Sequence, residues 1–146
     1  MIDGVRHLHT GDIGHIDENG CVYVVDRIKR IIIRTDGHNV FPSYIENVVT
    51  KHPNVRACTC VGVKDARFVD GKAPVAFIVI EPGHEAEVER IINELEAMSL
   101  QELPERDVAL DYVVIDEMPM TPAGKVDYVA LESQYIYNPL SRTRKI

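Results

Sequence analysis

The stretch "DRIKRIIIRTDGHNVFPSYIENVVTKHP", residues 26–53, changes its periodicity twice and so decides what kind of fold surrounds it. It opens on a charged joint, Asp26 to Arg30, runs into the β-branched Ile31, Ile32 and Ile33, and turns at Asp36-Gly37. Ile45, Val48 and Val49 then fall on one face of a helix. Ser43 with Glu46 three residues on reads as a capping box at the start of that helix, and Pro53 as its stop. Strand, turn and amphipathic helix in close succession predict helices layered on a sheet.

Before this stretch, "IGHIDENGCVYVV" (13–25) predicts a hairpin, with apolar alternation on both sides of Asp17-Glu18-Asn19-Gly20. After it, "VRACTCVGV" (55–63) and "KAPVAFIVI" (72–80) read as two core strands joined by a polar connection through Asp70-Gly71. From Glu85 to Leu100, Val88, Ile91, Ile92 and Leu95 stand at helical spacing with glutamates opposite them. "LDYVVID" (110–116) predicts a further strand, "YVALES" (128–133) a short helix, and "SRTRKI" (141–146) closes a polar tail. Strands and helices mix without strict βαβ alternation. The expected fold is therefore α+β, a small mixed sheet with helices packed on it, preceded by a β-hairpin.

The chain has 146 residues, 45% of them hydrophobic, which is enough for one domain with a real core. Its apolar runs are too short to span a bilayer and no leader precedes them, so a soluble cytoplasmic protein is expected. Cys21, Cys58 and Cys60 lack a zinc spacing and read as reduced thiols, with no metal assigned to them. The net charge of -7 conceals an asymmetry: residues 27–56 hold six Lys/Arg against two acids, whereas 81–117 hold twelve acids against two Arg. The acidic block is a solvated surface. The basic block suits an anionic ligand but lacks the interleaved aromatics of a nucleic-acid site, and nucleic acid is excluded as a partner.

One lysine stands out. In "PMTPAGKVD" (119–127), Lys125 sits on a turn punctuated by Pro119, Pro122 and Gly124, held off regular structure where it can meet a ligand. Two more stretches are polar beyond what a scaffold needs, "HTGD" (9–12) before the hairpin and "DRIKR" (26–30) after it. Taken singly, each is also explained as a turn or a solvated strand end.

Taken in order, "LHTGDIGHIDENG" (8–20), "DRIKRIIIRTDGHNVFPSYIE" (26–46) and "PMTPAGKVDYVAL" (119–131) resemble the C-terminal part of the adenylate-forming superfamily of acyl-CoA synthetases, peptide-synthetase adenylation domains and luciferases. The resemblance implies activation of a carboxylic acid by ATP to an acyl-adenylate, followed by transfer to a thiol, with coenzyme A the preferred acceptor and a carrier-protein thiol the other. It implies that Asp12 grips the ribose hydroxyls of ATP, that Arg27 reaches the same ribose and its phosphate side, and that Lys125 is the catalytic lysine of adenylation. Lys29 falls at the hinge, and Gly37 in the loop that meets the pantetheine arm. The spacing from Arg27 to Gly37 is one residue longer than in the commonest members, and Asp26 stands where many have glycine.

The resemblance further implies a division into residues 1–28, the last hairpin of a large adenylation domain, residues 29–133, the lid domain, and residues 134–146, a polar tail. The large N-terminal domain would hold the phosphate loop and the Mg2+ ligand, so the chain alone is expected to be inactive. Without that domain, the hairpin edge is expected to bind a second copy. Two other readings stay open: a stand-alone binding or docking module of the same fold, and the C-terminal part of a peptide-synthetase adenylation domain.

Overall fold

The computed structural model describes residues 4–64, 70–135 and 144–145. The hairpin forms as expected from β1 (Asp12–Ile16) and β2 (Val22–Arg27), paired antiparallel with a bulge between Ile13 and Gly14. Asp17 organises its turn, accepting from the backbone N–H groups of Asn19 and Cys21 at 2.9 Å each. A 3-10 turn at Ile28–Arg30 follows, and then a short ribbon of β3 (Ile32–Ile33) against β4 (Asn39–Val40). The β-branched run is thus a two-residue strand.

α1 (Pro42–Val49) buries Ile45, Val48 and Val49, the stripe read from the sequence. The capping box does not form. The helix begins at Pro42, whose ring presets the first helical position, so Ser43 lies inside the first turn and its Oγ is buried without a partner. Asp26 supplies the cap from outside the helix, its Oδ2 accepting the Ser43 N–H at 2.9 Å. At the other end the helix stops at Val49, before Pro53 acts on it, and the Thr50 hydroxyl donates to the Glu46 carbonyl at 2.7 Å.

Among the described residues, the main sheet has four strands in the order β5 (Val55–Lys64), β6 (Lys72–Ile80), β7 (Asp111–Val114) and β8 (Arg144–Lys145). β5 and β6 are antiparallel, and the other two pairings are parallel, so the sheet is mixed. The polar tail thereby contributes an edge strand. The connection 65–69 between β5 and β6 lies outside the described residues. α2 (Val88–Glu102) begins three residues later than its sequence pattern, after a 3-10 turn at Glu85–Glu87, and α3 (Tyr128–Gln134) closes the fold.

Both faces of the sheet are covered, because its strands alternate two apolar sets. Cys60, Ala76, Ile78, Tyr112 and Val114 pack beneath Ile45 and Val49 of α1 and Ile91, Ile92 and Leu95 of α2. Val61, Val75, Phe77, Val79 and Val113 face the other way, onto Leu131 of α3. On the α2 side the buried Tyr112 hydroxyl donates to Ser99 Oγ at 2.8 Å, and burial pushes the phenol up to about 12. His52, also buried, accepts the Asn54 N–H on Nδ1 at 3.1 Å and donates from Nε2 to Glu94 at 2.8 Å, which ties the end of α1 to α2.

The turn between β3 and β4 is fastened to the 3-10 turn Glu105–Asp107 at three points. Arg34 Nη1 donates to the Arg106 carbonyl at 3.0 Å, Arg106 Nη2 reaches Asp36 Oδ2 at 2.6 Å, and His38 Nε2 meets Asp107 Oδ1 at 2.5 Å. The Arg106 guanidinium and the His38 N–H together hold the Asp36 carboxyl down to about 2, from an ordinary 3.8.

Two outcomes follow from these contacts. Tyr112→Phe is expected to cost about 1 kcal/mol, read as a fall of roughly 4 °C in melting temperature, because it strands a buried Ser99 hydroxyl. The Asp36 contact is fully stabilising above the unfolded carboxyl's 3.8 and is lost as pH falls towards 2. Denaturant titrations between pH 5 and pH 2 should therefore show an acid loss in the native chain that Arg106→Gln reduces. Equal acid slopes in the two proteins would refute the assignment.

Candidate functional site

Lys125 stands on the connection between β7 and α3, and its loop is built as a small hairpin of its own. Met120 bridges Val126, the Thr121 N–H donates to the Lys125 carbonyl at 2.7 Å, and the Gly124 N–H to the Thr121 carbonyl at 2.9 Å. Gly124 takes a φ of +73°, which favours glycine, and the Thr121 hydroxyl accepts the Lys125 N–H at 3.3 Å. The base is anchored as well: the Asp127 N–H donates to the Pro119 carbonyl at 2.8 Å, and Asp127 Oδ1 caps α3 through the Ala130 N–H at 3.0 Å. The lysine therefore projects, exposed, from a fixed turn.

It projects towards other cations. A cleft of about 380 Å³ is lined by Arg27, Lys29, Arg30, Cys60, Val61, Gly62, Lys125, Tyr128 and Glu132. Residues almost a hundred positions apart in sequence thus share one concave surface. Not all of their charge is free. Arg27 Nε pairs with Asp12 Oδ1 at 2.7 Å across β1 and β2, which brings Asp12 to the rim, and Arg30 is held by Glu46 at 2.5 Å and Asp26 at 3.6 Å. Among the described residues, the Lys29 and Lys125 amines have no carboxylate partner. The cleft offers them to an anion, beside a planar guanidinium that its aspartate keeps oriented.

Arg30 forms the floor. Its guanidinium lies 5.0 Å from the Tyr128 ring centroid, while Glu46 Oε1 also accepts the Cys60 N–H at 2.9 Å. Burial works to lower the Arg30 pKa, but the Glu46 bond and charge outweigh it and raise it above the ordinary value. Sequence reading singled out Arg27 and Lys29 from "DRIKR" and missed Arg30, Asp26, Tyr128 and the true partners of Glu46. Only the density of charge in that pentapeptide could have pointed to Arg30.

Gly37 is not part of the cleft. It sits at φ +77° in the fastened Arg34–His38 turn, its N–H donating to the Arg34 carbonyl at 2.9 Å, with nothing near the position a Cβ would take. Asp12, Arg27, Lys29 and Lys125 are thus brought together and Gly37 is presented elsewhere. Burial holds the Cys58 and Cys60 thiols well above their ordinary value, unsuited to nucleophilic or metal chemistry at neutral pH, while Cys21 is exposed. Among the described residues, no group of His, Cys, Asp and Glu is placed to hold a metal ion, and no helix is long and apolar enough to cross a membrane.

Comparison with known proteins extends the match to most of the chain. It is 36% identical over 86% of its length to a fatty acid–acyl-carrier-protein ligase of Streptomyces coeruleorubidus, and 35% identical over 88% to a medium/long-chain-fatty-acid–CoA ligase of Mycobacterium tuberculosis. The chain spans about 22% of the length of each of these curated relatives. The amide bond synthetase McbA of Marinactinospora thermotolerans superposes with a TM-score of 0.75 at 34% identity, over 88% of this chain and 25% of that one. The sequence model of the AMP-binding enzyme C-terminal domain matches residues 44–125, more than half of the chain and inclusive of Lys125. On that match, with the same fold in a solved relative, the chain belongs to the AMP-binding enzyme C-terminal domain family.

Proposed function

We propose that the chain is the C-terminal part of an AMP-forming acid–thiol ligase, which activates a carboxylic acid with ATP and passes the acyl group to a thiol. The observation that carries this reading is the convergence of Arg27, Lys29 and Lys125 on one cleft, with Lys125 at the tip of a fixed turn. The cations fit the polyphosphate end of ATP, and Asp12, an acceptor with two oxygens, fits a ribose diol once Arg27 shares it. The cleft and its rim fit no more of the nucleotide than that, and the described residues offer no Mg2+ ligand set. The adenine site, the metal site and the acid pocket are assigned to a large N-terminal domain.

In this reading residues 1–28 belong to that domain's last hairpin, 29–133 to the lid, and 134–146 to a tail. Lys29, exposed within the 3-10 turn that joins hairpin and body, is the hinge. The apolar side chains that the hairpin exposes, Ile16, Val22 and Val24, are the surface the large domain covers, or a second copy in its absence. Lys125 acts electrostatically. The substrate carboxylate is already ionised at neutral pH, so a proton acceptor is not needed, whereas an ammonium between carboxylate and phosphate offsets negative charge as pyrophosphate leaves.

Gly37 belongs to the other half-reaction. Its turn lies away from the cleft and admits a close backbone approach, which suits the pantetheine arm of an incoming thiol. By name the similar proteins use a carrier protein, coenzyme A, or form an amide. Coenzyme A is the acceptor we assign. Three unpaired cysteines accord with a reducing cytoplasm.

The test is kinetic. In the ligase that contains this segment, Lys125→Ala should slow ATP–pyrophosphate exchange by about 10²- to 10³-fold while leaving thioester formation from supplied acyl-adenylate much less affected. Equal loss in both steps would remove Lys125 from adenylation, and lysine-dependent pyrophosphate release by the isolated chain would overturn the division of labour between the domains.

A further inference from the structure

We propose that Asp26 is a positioning residue that latches the hairpin to the body across the joint and so holds the pose in which Arg27 and Lys125 face one cleft. The inference rests on reading Lys29 as the hinge, since Asp26 lies before it and two of its three partners, Arg30 and Ser43, lie after it. Three groups converge on this carboxylate. Oδ2 accepts the Ser43 N–H at 2.9 Å, Oδ1 accepts the Arg27 N–H at 2.7 Å, and Arg30 Nη1 stands 3.6 Å from Oδ1. The side chain is 1% exposed, so each bond is made out of water, where it is strongest and least replaceable.

Little else spans the joint. Among the described residues, the side-chain hydrogen bonds and ion pairs that run from 4–28 to the body end on Asp26, and of the hairpin's aliphatic side chains Ile16, Val22 and Val24 are 68%, 68% and 65% exposed, with only Ile13 and Val25 partly buried. Rotation about Lys29 would swing Asp26 away from the start of α1 and uncover both a carboxylate and a helix N–H. By contrast, both members of the Arg30–Glu46 pair lie after Lys29, so such a rotation need not break it. The latch therefore opens and closes without dismantling the cleft floor. A glycine at position 26 would carry no latch, and the pose would be set by the large domain alone.

Cys21 makes the test direct, because it is exposed near the hairpin turn whereas Cys60 is buried and burial raises the Cys58 thiol. Spin labels would be attached to Cys21 and to a cysteine introduced by Gln101→Cys on the exposed side of α2, and their separation read by pulsed electron resonance on this chain. The native residue at 26 is expected to give one narrow distance distribution. Asp26→Ala should add a second population, shifted by about tenfold or more in its favour, at unchanged helical circular dichroism. Asp26→Asn, which keeps an oxygen for the Ser43 N–H but loses the charge facing Arg30, should fall between the two and stands in if the alanine variant does not fold. A native distribution in every folded variant overturns the proposal. No nucleotide or acid is needed for this readout, so a failed Lys125 experiment with a shifted distance would sink the ligase reading and leave the latch standing.

Discussion

A carboxylate and a guanidinium taken out of water must be paired, and the arrangement of this chain follows from how Asp26, Arg30 and Glu46 satisfy one another. Asp26 lies one residue from the end of the hairpin, Arg30 ends the joint, and Glu46 lies in the middle of α1. Once Arg30 is fixed by both acids, the start of α1, the exit of β2 and the centre of β5 have a single mutual placement. The cleft is a by-product of that placement: Arg30 is its floor, Tyr128 stacks beside it, and Lys29 and Lys125 are left at the rim without a counter-ion among the described residues.

The scaffold behind the cleft is rigid for a different reason. Each strand of the sheet sends alternate side chains into two dry layers, one under α1 and α2 and one under α3, so β6 is buried along nearly its whole length. α3 and the turn that precedes it are thereby tied to the sheet through Leu131, with Asp127 joining turn and helix. A charged group held at the tip of such a turn would need little further ordering to meet an anion. Such preorganisation is what the proposed electrostatic role of Lys125 calls for.

Much of this was legible in the sequence wherever the signal was local. The hairpin turn, the two long strands, the apolar stripe of α2 and the Pro/Gly-set lysine turn each carry their pattern within a dozen residues, and each lies where it was read. The failures are long-range. Ser43 and Glu46 have the spacing of a capping box, yet Pro42 starts the helix two residues early and a carboxylate 17 positions upstream takes the cap, a pairing that no local pattern announces. Arg30 was hidden in the same way. Its partners come from α1, β5 and α3, so its importance exists only in the folded chain.

β5 stands at the end of the sheet, yet the middle of its outer edge is not vacant. The Cys60 N–H donates to Glu46, and Arg30 Nη2 reaches the Cys60 carbonyl at 3.4 Å, so two side chains occupy the groups that another strand would need. The ion pair beneath the cleft thus also acts as a stopper against sheet extension. The longest edge of the sheet is thereby kept from templating aggregates, and any change that loosened Arg30 would cost solubility as well as geometry.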